Sequence, residues 1–434
     1  MKERVIRHLL SKLNIHPVLV DIGASGGPPE IWGIIAQHSV YVGLDPDPRE
    51  MYKECETRFH KAVIVAEAIM SEEESDEVPF YFTKSPYCSS TLAPNAEALS
   101  NFLFSDLFQV ERTASVRATS LDRIMDRLSL PSIDWLKIDS QGTDLRIFNS
   151  LRPEVRSRVL ALDIEASLID AYIDEDLFVH AHRQITQDGF WISNLNVGDA
   201  VRMRRSTLSE IMSHDQEINY DLVERTVKKS PGWCDARYLR TTEWLAQGER
   251  TRRDYVLLWT FALLDNQPGF ALDLAMEYER VFGRDEISQA MKDEPIALMK
   301  QSHQAMRFAT HSDAITTGQG WYPLEHYRGQ TFRWVANDAE LMIREPTGTR
   351  QTLSLEVEPG PGVGSRLFML QVLDEEGHTI ATAEVKGREV IHVTLPIIKG
   401  QAAVFRLRVE GGGLPTPNDP RTLNFRIFRF GWSS

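Results

Sequence analysis

The feature that most constrains this chain is a glycine-rich turn directly after its first apolar stretch. Residues 16–22 are apolar and β-branched, which predicts a strand, and residues 29–38 have the spacing of a helix. Gly23, Gly26 and Gly27 lie in the turn between them. A strand that runs through small residues into the start of a helix lets backbone N–H groups face a ligand. A tight strand–helix connection without a ligand would use the same residues, so the turn alone does not decide between the two.

Two acids make the turn more specific. Asp21 lies at the end of the first predicted strand, and Asp45 follows the next strand about 20 residues after the turn, where dinucleotide-binding folds hold a ribose diol. Ser25 and Pro28 occupy two glycine positions of the dinucleotide motif G-x-G-x-x-G, which disfavours close approach of a diphosphate. An acid in the loop repels phosphates but suits the amino group and sulfonium of S-adenosylmethionine. We therefore favour this methyl donor over NAD or FAD.

The remaining pattern divides the chain into three parts. In residues 1–250, short apolar strands alternate with helical stretches, which predicts a mostly parallel, doubly wound sheet of the α/β class. Residues 251–317 indicate a helical extension and linker, and residues 318–434 an antiparallel β-sandwich of short alternating strands. The main predicted elements of the first part are strands at 16–22, 40–44, 61–65, 133–138 and 158–164, and helices at 29–38, 121–128, 143–151 and 174–187. Two further helices are predicted at 255–264 and 271–282.

Three blocks of the first part resemble, in order, the signatures of FkbM-type methyltransferases. They are residues 21–27 (DIGASGG), 116–122 (VRATSLD) and 133–145 (IDWLKIDSQGTDL). The resemblance covers about residues 15–205 and continues more weakly to about residue 300. It implies a class I, Rossmann-like methyltransferase fold, S-adenosylmethionine as the cofactor and transfer of methyl groups to hydroxyls.

The resemblance also implies where several residues lie around the cofactor. The methionine end is expected against Asp21, Gly23, Ser25 and Gly27. Asp45 is expected to hold the ribose hydroxyls, Glu67 to lie near the adenine, and Asp139 to lie beside the donor methyl. One position departs from the family, because this chain has Gln141 where the family block usually carries Glu. The change removes a charge and disfavours a base or metal role at that position.

Acids at strand ends are the candidate catalytic groups. In a doubly wound sheet the ligand crevice lies at the carboxyl ends of the strands where the connections reverse, so Asp21 and Asp139 should face one cleft. A hydroxyl acceptor needs a base, and Asp139 and Glu165 are our candidates. Asp163 and Glu165 alternate in an apolar run, so both point to one face of the next strand. The structural alternatives are helix N-capping for Asp139 and a hydrogen bond from a neighbouring loop for one of the other two acids.

His182 is a third candidate base, provided that it faces the cleft. It lies two residues from His180 on a predicted helix, so the two rings do not share a face, and a surface position is the alternative interpretation. The sequence shows no zinc-ligand spacing, no Walker loop and no Ser-His-Asp set. We therefore predict no metal site.

Composition limits the partners of the protein. The chain has 48 Lys and Arg against 62 Asp and Glu, a formal charge of −14, which argues against nucleic acid or an anionic membrane surface as the main partner. Its 3 cysteines are far apart, its N-terminus lacks a signal-peptide core, and its longest apolar run, residues 255–264, is about half a membrane span. We predict a cytoplasmic protein without a transmembrane segment, and a homo-oligomer is compatible with the sequence.

The third part loosely resembles β-sandwich modules attached to bacterial glycan-processing transferases, through residues 320–325 and 419–428. This resemblance implies a saccharide acceptor, although aromatic residues of a sandwich are more often core residues. The combined hypothesis is an S-adenosylmethionine-dependent O-methyltransferase that acts on a hydroxyl of a small molecule, sugar or glycan intermediate. Two alternatives stay open. One is a glycan-binding protein that keeps the cofactor fold without turnover, which Gln141 permits, and the other is an NAD- or nucleotide-sugar-linked enzyme.

Overall fold

The computed structural model describes residues 2–47, 55–71, 75–248, 250–310, 315–327, 329–343, 350–364, 366–397, 402–414, 419 and 421–432. The chain divides into two compact units, Met1–Ile296 and Ala297–Ser434. The boundary between the units falls within the predicted helical extension, residues 251–317.

The first unit contains both strands and helices. Its strands are Val18–Ile22 (β1), Val40–Leu44 (β2), Lys61–Val65 (β3), Ala68–Ile69 (β4), Glu77–Thr83 (β5), Val110–Thr119 (β6), Trp135–Ile138 (β7), Ala161–Ser167 (β8), Phe190–Ala200 (β9) and Ser230–Arg240 (β10). Its helices are Lys2–Lys12 (α1), Cys55–Arg58 (α2), Ala96–Leu99 (α3), Leu121–Leu128 (α4), Asp144–Ser150 (α5), Pro153–Arg156 (α6), Phe178–Gln187 (α7), Arg205–His214 (α8), Tyr220–Thr226 (α9), Thr242–Ala246 (α10), Arg252–Leu264 (α11) and Pro268–Phe282 (α12). A further helix, Glu286–Thr310 (α13), begins in this unit and runs past its boundary.

A seven-stranded sheet forms the centre of the first unit, in the order β3-β2-β1-β7-β8-β10-β9. Strands β3, β2, β1, β7 and β8 run parallel to one another, and β10 is antiparallel to both β8 and β9. The mostly parallel sheet predicted from the alternating pattern is confirmed. The chain moves outward from β1 to β3 and later returns to the other side of β1 as β7. Ligands bind outside the carboxyl ends of the strands at such a reversal.

The apolar runs of the central strands are explained by burial. All five residues of β1 are buried, because helices and loops cover both faces of the sheet. Side chains from the strands and the covering helices form one core, which includes Val20, Leu136, Phe148, Ile164 and Ile185.

Helix α4 has the bounds that the sequence predicted. The Ser120 side chain caps its start by accepting a hydrogen bond from the Arg123 amide. Ser129 ends it in the left-handed conformation, with φ 54°. Local capping signals therefore determine this helix.

Residues 29–38 differ from the prediction of one helix. They form two short 3-10 helices, Glu30–Ile34 and Ala36–His38. Gly33 weakens a regular helix in the middle of this short segment, and the β-branched Ile35 adds to the effect. The first of these short helices still buries Trp32 in the core.

Helix α11 starts before the predicted helix 255–264. Thr251 and Asp254 form a capping box at its start. Every residue from Tyr255 to Leu264 is buried, which accounts for the long apolar run. Among the residues that the structure describes, no helix is long and apolar enough to span a bilayer.

The first unit also contains a separate three-stranded sheet, in the order β4-β6-β5. Strands β5 and β6 are antiparallel, and the segment after β5 folds back so that the Tyr81 amide donates to the Ser90 carbonyl at 2.8 Å. This return places residues 85–91 beside the carboxyl ends of the central strands.

The second unit is built from strands. They are Ile315–Thr317 (β11), Trp321–Tyr327 (β12), Gln330–Val335 (β13), Ala339–Ile343 (β14), Arg350–Pro359 (β15), Phe368–Leu373 (β16), Thr379–Val385 (β17), Glu389–Pro396 (β18), Ala403–Val409 (β19) and Phe425–Trp432 (β20). They pair in two antiparallel sheets, β11-β14-β19-β16-β17 and β12-β13-β20-β15-β18. Inward-facing residues of both sheets form one apolar core, to which Leu341, Leu355 and Phe425 contribute. The antiparallel pairing predicted for this region is confirmed.

Candidate active site at the carboxyl ends of the central strands

The glycine turn after β1 packs directly against the end of β7. The Gly23 amide donates to the Leu44 carbonyl at 2.9 Å, and the Asp139 amide donates to the Ile22 carbonyl at 3.0 Å. Gly23 has φ 75°, and a Cβ atom built on it would lie 2.0 Å from the Asp139 carbonyl oxygen. Only glycine fits this position. The ends of β1, β2 and β7 are therefore joined at one point.

Asp21 is fully buried next to this turn. Its Oδ1 accepts a hydrogen bond from Lys137 Nζ at 3.0 Å, and its Oδ2 accepts one from the Tyr41 hydroxyl at 3.0 Å. Burial raises the pKa of Asp21 to about 6, and the Lys137 charge opposes that rise. The carboxylate is thus already partnered inside the protein. It does not line the cleft described below, and its contact with the methionine end of a cofactor stays a prediction.

Lys137 projects from β7 and connects three groups. Its Nζ lies 3.0 Å from Asp21 Oδ1, 3.3 Å from the Gly23 carbonyl oxygen and 3.6 Å from Asp139 Oδ2. Burial acts to lower the pKa of Lys137, but the charges of Asp21 and Asp139 outweigh it and raise that pKa. The amine is therefore a fixed cation between the two predicted site acids.

A cleft of about 810 Å³, here called the first cleft, opens beside this cluster. Its acids are Asp45, Asp47, Glu67, Asp139 and Glu165. Its small and polar residues include Gly23, Ser25, Ser140, Gln141 and Thr143. None of the described residues that line the first cleft is a lysine, an arginine or a histidine. The reversal of the sheet thus carries a strongly acidic cleft.

The segment after β2 forms one wall of the first cleft, and the Asp45 side chain holds this segment by hydrogen bonds. Its Oδ2 accepts hydrogen bonds from the Ser25 amide at 3.1 Å and the Ser25 hydroxyl at 2.9 Å, and its Oδ1 accepts one from the Asp47 amide at 2.7 Å. Burial raises the pKa of Asp45. Glu67, which follows β3, pairs with Arg127 at 2.9 Å. Asp45 and Glu67 both line the first cleft. Their expected contacts with the ribose and the adenine of the cofactor stay predictions.

Asp139 lies at the centre of a hydrogen-bonded chain of side chains. The Gln141 side-chain amide donates to Asp139 Oδ1 at 2.8 Å, and the Tyr172 hydroxyl lies 2.7 Å from Gln141 Oε1. Gln141 has φ 58°, a left-handed conformation that is costly for a residue with a side chain. Strain of this kind is concentrated at functional sites. The Gln141 amide therefore orients Asp139 without adding a negative charge.

Glu165 on β8 lines the first cleft together with Asp139. Its pKa is raised well above the ordinary range, first by burial and then by the Asp139 charge and a hydrogen bond between the two carboxyl groups. Its backbone amide donates to Asp144 Oδ2 at 2.9 Å, and Ser140 donates to Asp144 Oδ1. Burial raises the pKa of Asp144 to about 7. Asp144 thus joins the end of β7 to β8, which holds Asp139 and Glu165 close together.

A second cleft, of about 1050 Å³, adjoins the first. Tyr87, Gln141 and Glu165 line both. The other walls of the second cleft carry aromatic residues, namely Phe104, Phe108, Tyr172, Tyr220 and Trp233. The Asp139–Glu165 pair therefore lies where an acidic cleft meets an aromatic one.

Three other residues considered in the sequence analysis lie elsewhere. Gly27 does not line either cleft, although its φ of 91° shows that the turn needs glycine there. His182 also lies outside both clefts, and its Nδ1 is 3.1 Å from the Tyr238 hydroxyl. Asp163 pairs with Arg237 at 2.8 Å. The roles predicted for Gly27 and His182 gain no support from these positions and stay predictions.

Sequence reasoning missed two residues that organise the site. Lys137 is a single cation in an otherwise apolar strand, and such a residue is rarely buried without an acidic partner. That signal could have paired it with Asp21. The sequence contains no comparable signal for Tyr172. Its hydroxyl contacts Gln141, which is 31 residues away in the sequence, so only the folded chain shows the contact.

One exposed group in the second unit could also offer metal ligands. Ligand atoms of Asp374, Glu376 and His378 lie within 4.8 Å of one another. Exposed acidic groups of this kind are common without an ion, and the backbone amide of His378 already donates to Asp374.

Comparison with known proteins identifies the class of the first unit. Residues 36–193 match the family model for the methyltransferase FkbM domain, so this part of the chain is a methyltransferase domain. The match confirms the resemblance to the FkbM family that the blocks at residues 116–122 and 133–145 predicted, whereas the block at residues 21–27 lies outside the matched region. The matched region contains Asp45, Glu67, Asp139 and Glu165 and begins after the glycine turn. No curated protein sequence matches the chain significantly.

Several solved structures resemble a part of the chain. One is an arabinoxylan arabinofuranohydrolase of glycoside hydrolase family 43 from Bacillus subtilis, with 11% identity over 27% of this chain and 24% of that chain and a TM-score of 0.18. Another is a family 35 carbohydrate binding module from an environmental isolate, with 12% identity over 28% and 92% of the two chains and a TM-score of 0.20. A third is the C-terminal carbohydrate-binding module of a laminarinase from Zobellia galactanivorans, with 11% identity over 27% and 90% and a TM-score of 0.18. The matched part spans about a quarter of the Bacillus enzyme, and TM-scores this low do not define a fold or a ligand for this chain.

Proposed function

We propose that the protein is an S-adenosylmethionine-dependent O-methyltransferase with a class I, doubly wound catalytic fold. The observation that carries the proposal is the charge of the first cleft. Five acidic side chains line this cleft at the reversal of the sheet, and no basic side chain is found among its described lining residues. S-adenosylmethionine, when bound, supplies a methyl group on a positively charged sulfur. An acidic cleft stabilises that sulfur and the amino group of the same molecule.

The same charge argues against a diphosphate ligand. NAD and nucleotide sugars bring two negative phosphates, which would lie among carboxylate oxygens in the first cleft. Lys137 and Arg127 neutralise part of the charge of Asp139 and Glu67, but neither side chain lines the cleft. A diphosphate would therefore be repelled where it needs donors.

In this proposal Asp139 is the general base, and Glu165 supports it through a hydrogen bond. Lys137 Nζ lies 3.6 Å from Asp139 Oδ2, and the Gln141 side-chain amide donates to Asp139 Oδ1 at 2.8 Å. Burial and the Asp139 charge raise the pKa of Glu165, which favours its protonated form. Asp139 would then accept the proton of an acceptor hydroxyl as the hydroxyl oxygen forms its new bond to the methyl carbon. The bond from that carbon to the sulfur would break in the same step, and its electron pair would stay on the sulfur of the departing S-adenosylhomocysteine. Glu165 would hold Asp139 in place by the hydrogen bond between the two carboxyl groups. We take the acceptor to be a hydroxyl of a sugar or glycan intermediate.

Titration calorimetry tests the cofactor. We expect wild-type protein to bind S-adenosylhomocysteine and not NAD. Asp45→Asn should weaken that binding at least tenfold, because the amide cannot accept all three hydrogen bonds that Asp45 accepts now. Asp126→Asn, a change at an exposed acid on α4, is the control and should have no effect. Tight binding of NAD with none of S-adenosylhomocysteine would overturn the proposal.

A transfer assay then separates an enzyme from a binding protein. Radiolabelled methyl groups should move from S-adenosylmethionine to a hydroxyl compound in a panel of sugars and oligosaccharides. Asp139→Asn should abolish this transfer while cofactor binding persists. Cofactor binding without transfer to any member of the panel would favour a protein that has lost turnover.

A further inference from the structure

We propose that the second cleft is the acceptor site and that it selects an uncharged sugar ring over phosphorylated or acidic sugars. This inference rests on the proposed function, and it assigns a substrate class and a set of specificity residues to that function. Three properties of the cleft support it, namely its aromatic walls, its charge and its junction with the Asp139–Glu165 pair.

The walls of the second cleft offer flat apolar surfaces. Phe104, Phe108 and Trp233 are half-buried, so each ring keeps part of its surface towards the cleft. Phe104 meets Trp233 edge to face, with ring centroids 6.3 Å apart and planes at 78°. A Cβ atom at Gly198 would lie 2.1 Å from the Trp233 ring, so the indole lies tightly against a strand that has no side chain there. Rings fixed in this way can stack on the apolar face of a sugar.

The polar groups of the second cleft suit hydroxyls. Its lining acids are Glu165, Asp199 and Glu224, and none of its described lining residues is a lysine, an arginine or a histidine. Carboxylate oxygens accept hydrogen bonds from hydroxyl groups. Phosphate or carboxylate groups of a ligand would find no cation among the described lining residues and would meet the charge of Asp199. The cleft therefore disfavours anionic sugars.

A cationic ligand is also a poor match. Glu224 already pairs with Lys229 at 2.6 Å, and Glu165 shares a hydrogen bond with Asp139. The remaining acid, Asp199, is exposed to solvent, where its attraction is weakened by water. An uncharged, hydroxyl-rich ring with one apolar face agrees best with these groups.

The position of the second cleft would place one hydroxyl of the bound sugar near the proposed catalytic acids. Gln141 and Glu165 belong to both clefts, so a hydroxyl at the floor of the second cleft would lie beside the acid pair and the first cleft.

The test uses the full chain saturated with S-adenosylhomocysteine and a panel of neutral monosaccharides and disaccharides. Each neutral sugar is matched with its uronic acid, its 6-phosphate and its 2-amino derivative. Binding is measured by isothermal titration calorimetry and by saturation-transfer difference NMR. We expect at least one neutral sugar to bind and its charged partners to bind at least tenfold more weakly. A charged member that binds most tightly, or no binding by any neutral member, would overturn the inference.

Variants locate the site. Trp233→Leu should weaken binding of the neutral sugar about tenfold and leave the affinity for S-adenosylhomocysteine unchanged. Trp191→Leu is the matched control, because Trp191 packs on Phe270 and lines neither cleft. Unchanged sugar binding in a folded Trp233→Leu protein would contradict the assignment.

A second variant keeps the test independent of packing at Trp233. Glu224→Lys places a cation at the rim of the second cleft and should improve binding of the sugar 6-phosphate at least tenfold relative to wild type. No change in that preference would contradict the charge argument. Loss of S-adenosylhomocysteine binding in the wild-type protein would refute the proposed function itself, whereas intact cofactor binding with the wrong sugar preference would refute only this inference.

Discussion

At the scale of single residues, Gly23 shows how closely the site is packed. Its φ of 75° and the 2.0 Å approach of a built Cβ atom to the Asp139 carbonyl leave no room for a side chain. Gly23→Ala should therefore destabilise the first unit by about 2 kcal/mol or more and weaken binding of S-adenosylhomocysteine. Thermal unfolding and calorimetry measure both effects. Gly269→Ala is the control, because nothing lies within 4 Å of a Cβ atom there, and equal effects of the two changes would contradict the packing argument.

The raised pKa of Glu165 predicts how stability depends on pH. The folded protein binds the Glu165 proton more tightly than the unfolded chain does, so this contribution to stability is present at low pH. It is lost as the pH rises from the ordinary glutamate value, about 4.3, through the raised pKa of the folded state. Asp21 and Asp144, with pKa values raised to about 6 and about 7, act in the same direction.

Glu165→Gln tests this dependence. The variant should lose less stability than the wild type when the pH rises from about 4 to about 7, because the glutamine does not titrate. The melting temperature as a function of pH is the measurement. Glu97→Gln, at an exposed helix position, should retain the wild-type slope. Identical slopes for Glu165→Gln and the wild type would show that Glu165 titrates normally.

At the scale of elements, Lys137 links two strands that are far apart in the sequence. It projects from β7, bonds to Asp21 on β1 and contacts the glycine turn that follows. Lys137→Met would leave the buried Asp21 without its cation, which should cost about 3–5 kcal/mol. Asp21→Asn in the same protein should restore part of that stability, because no buried charge then remains unpaired.

Unfolding experiments on the two single variants and the double variant measure this coupling. Lys84→Met is the comparison, since it removes a largely exposed ion pair with Asp106 and should cost at most about 1 kcal/mol. Additive effects of Lys137→Met and Asp21→Asn would contradict the assignment of a buried pair.

At the scale of the whole molecule, the two units have separate cores. Leu355 is fully buried in the core of the second unit, and Leu355→Ala should destabilise that unit by about 2–5 kcal/mol. Binding of S-adenosylhomocysteine to the full chain should not change, because every residue that lines the first cleft belongs to residues 1–296. Leu367→Ala, at an exposed position, should have little effect on stability. Weaker cofactor binding in Leu355→Ala would show that the second unit supports the site.

The sequence predicted elements best where local signals decide them. The helical spacing of residues 121–128 and the apolar run of residues 255–264 predicted helices, and both segments are helical in the structure. The prediction of one helix at residues 29–38 was wrong, because the segment forms two short 3-10 helices. Trp32 is buried in this arrangement as well, so its apolar side chain does not require a regular α-helix. Of the predicted site residues, Asp45, Glu67, Asp139 and Glu165 lie together on the first cleft, whereas Asp21 and His182 have other neighbours.

The sequence by itself predicted the five parallel strands of the central sheet, the resemblance to FkbM methyltransferases and the acids at the strand ends, because apolar periodicity and short motifs are local properties. Only the tertiary structure decided which of these acids face a ligand and which are partnered inside the protein. The Lys137–Asp21 pair, the Tyr172–Gln141–Asp139 chain and the junction of two clefts join residues that are distant in sequence. Such contacts depend on strand order and register, and no single stretch of sequence contains that information.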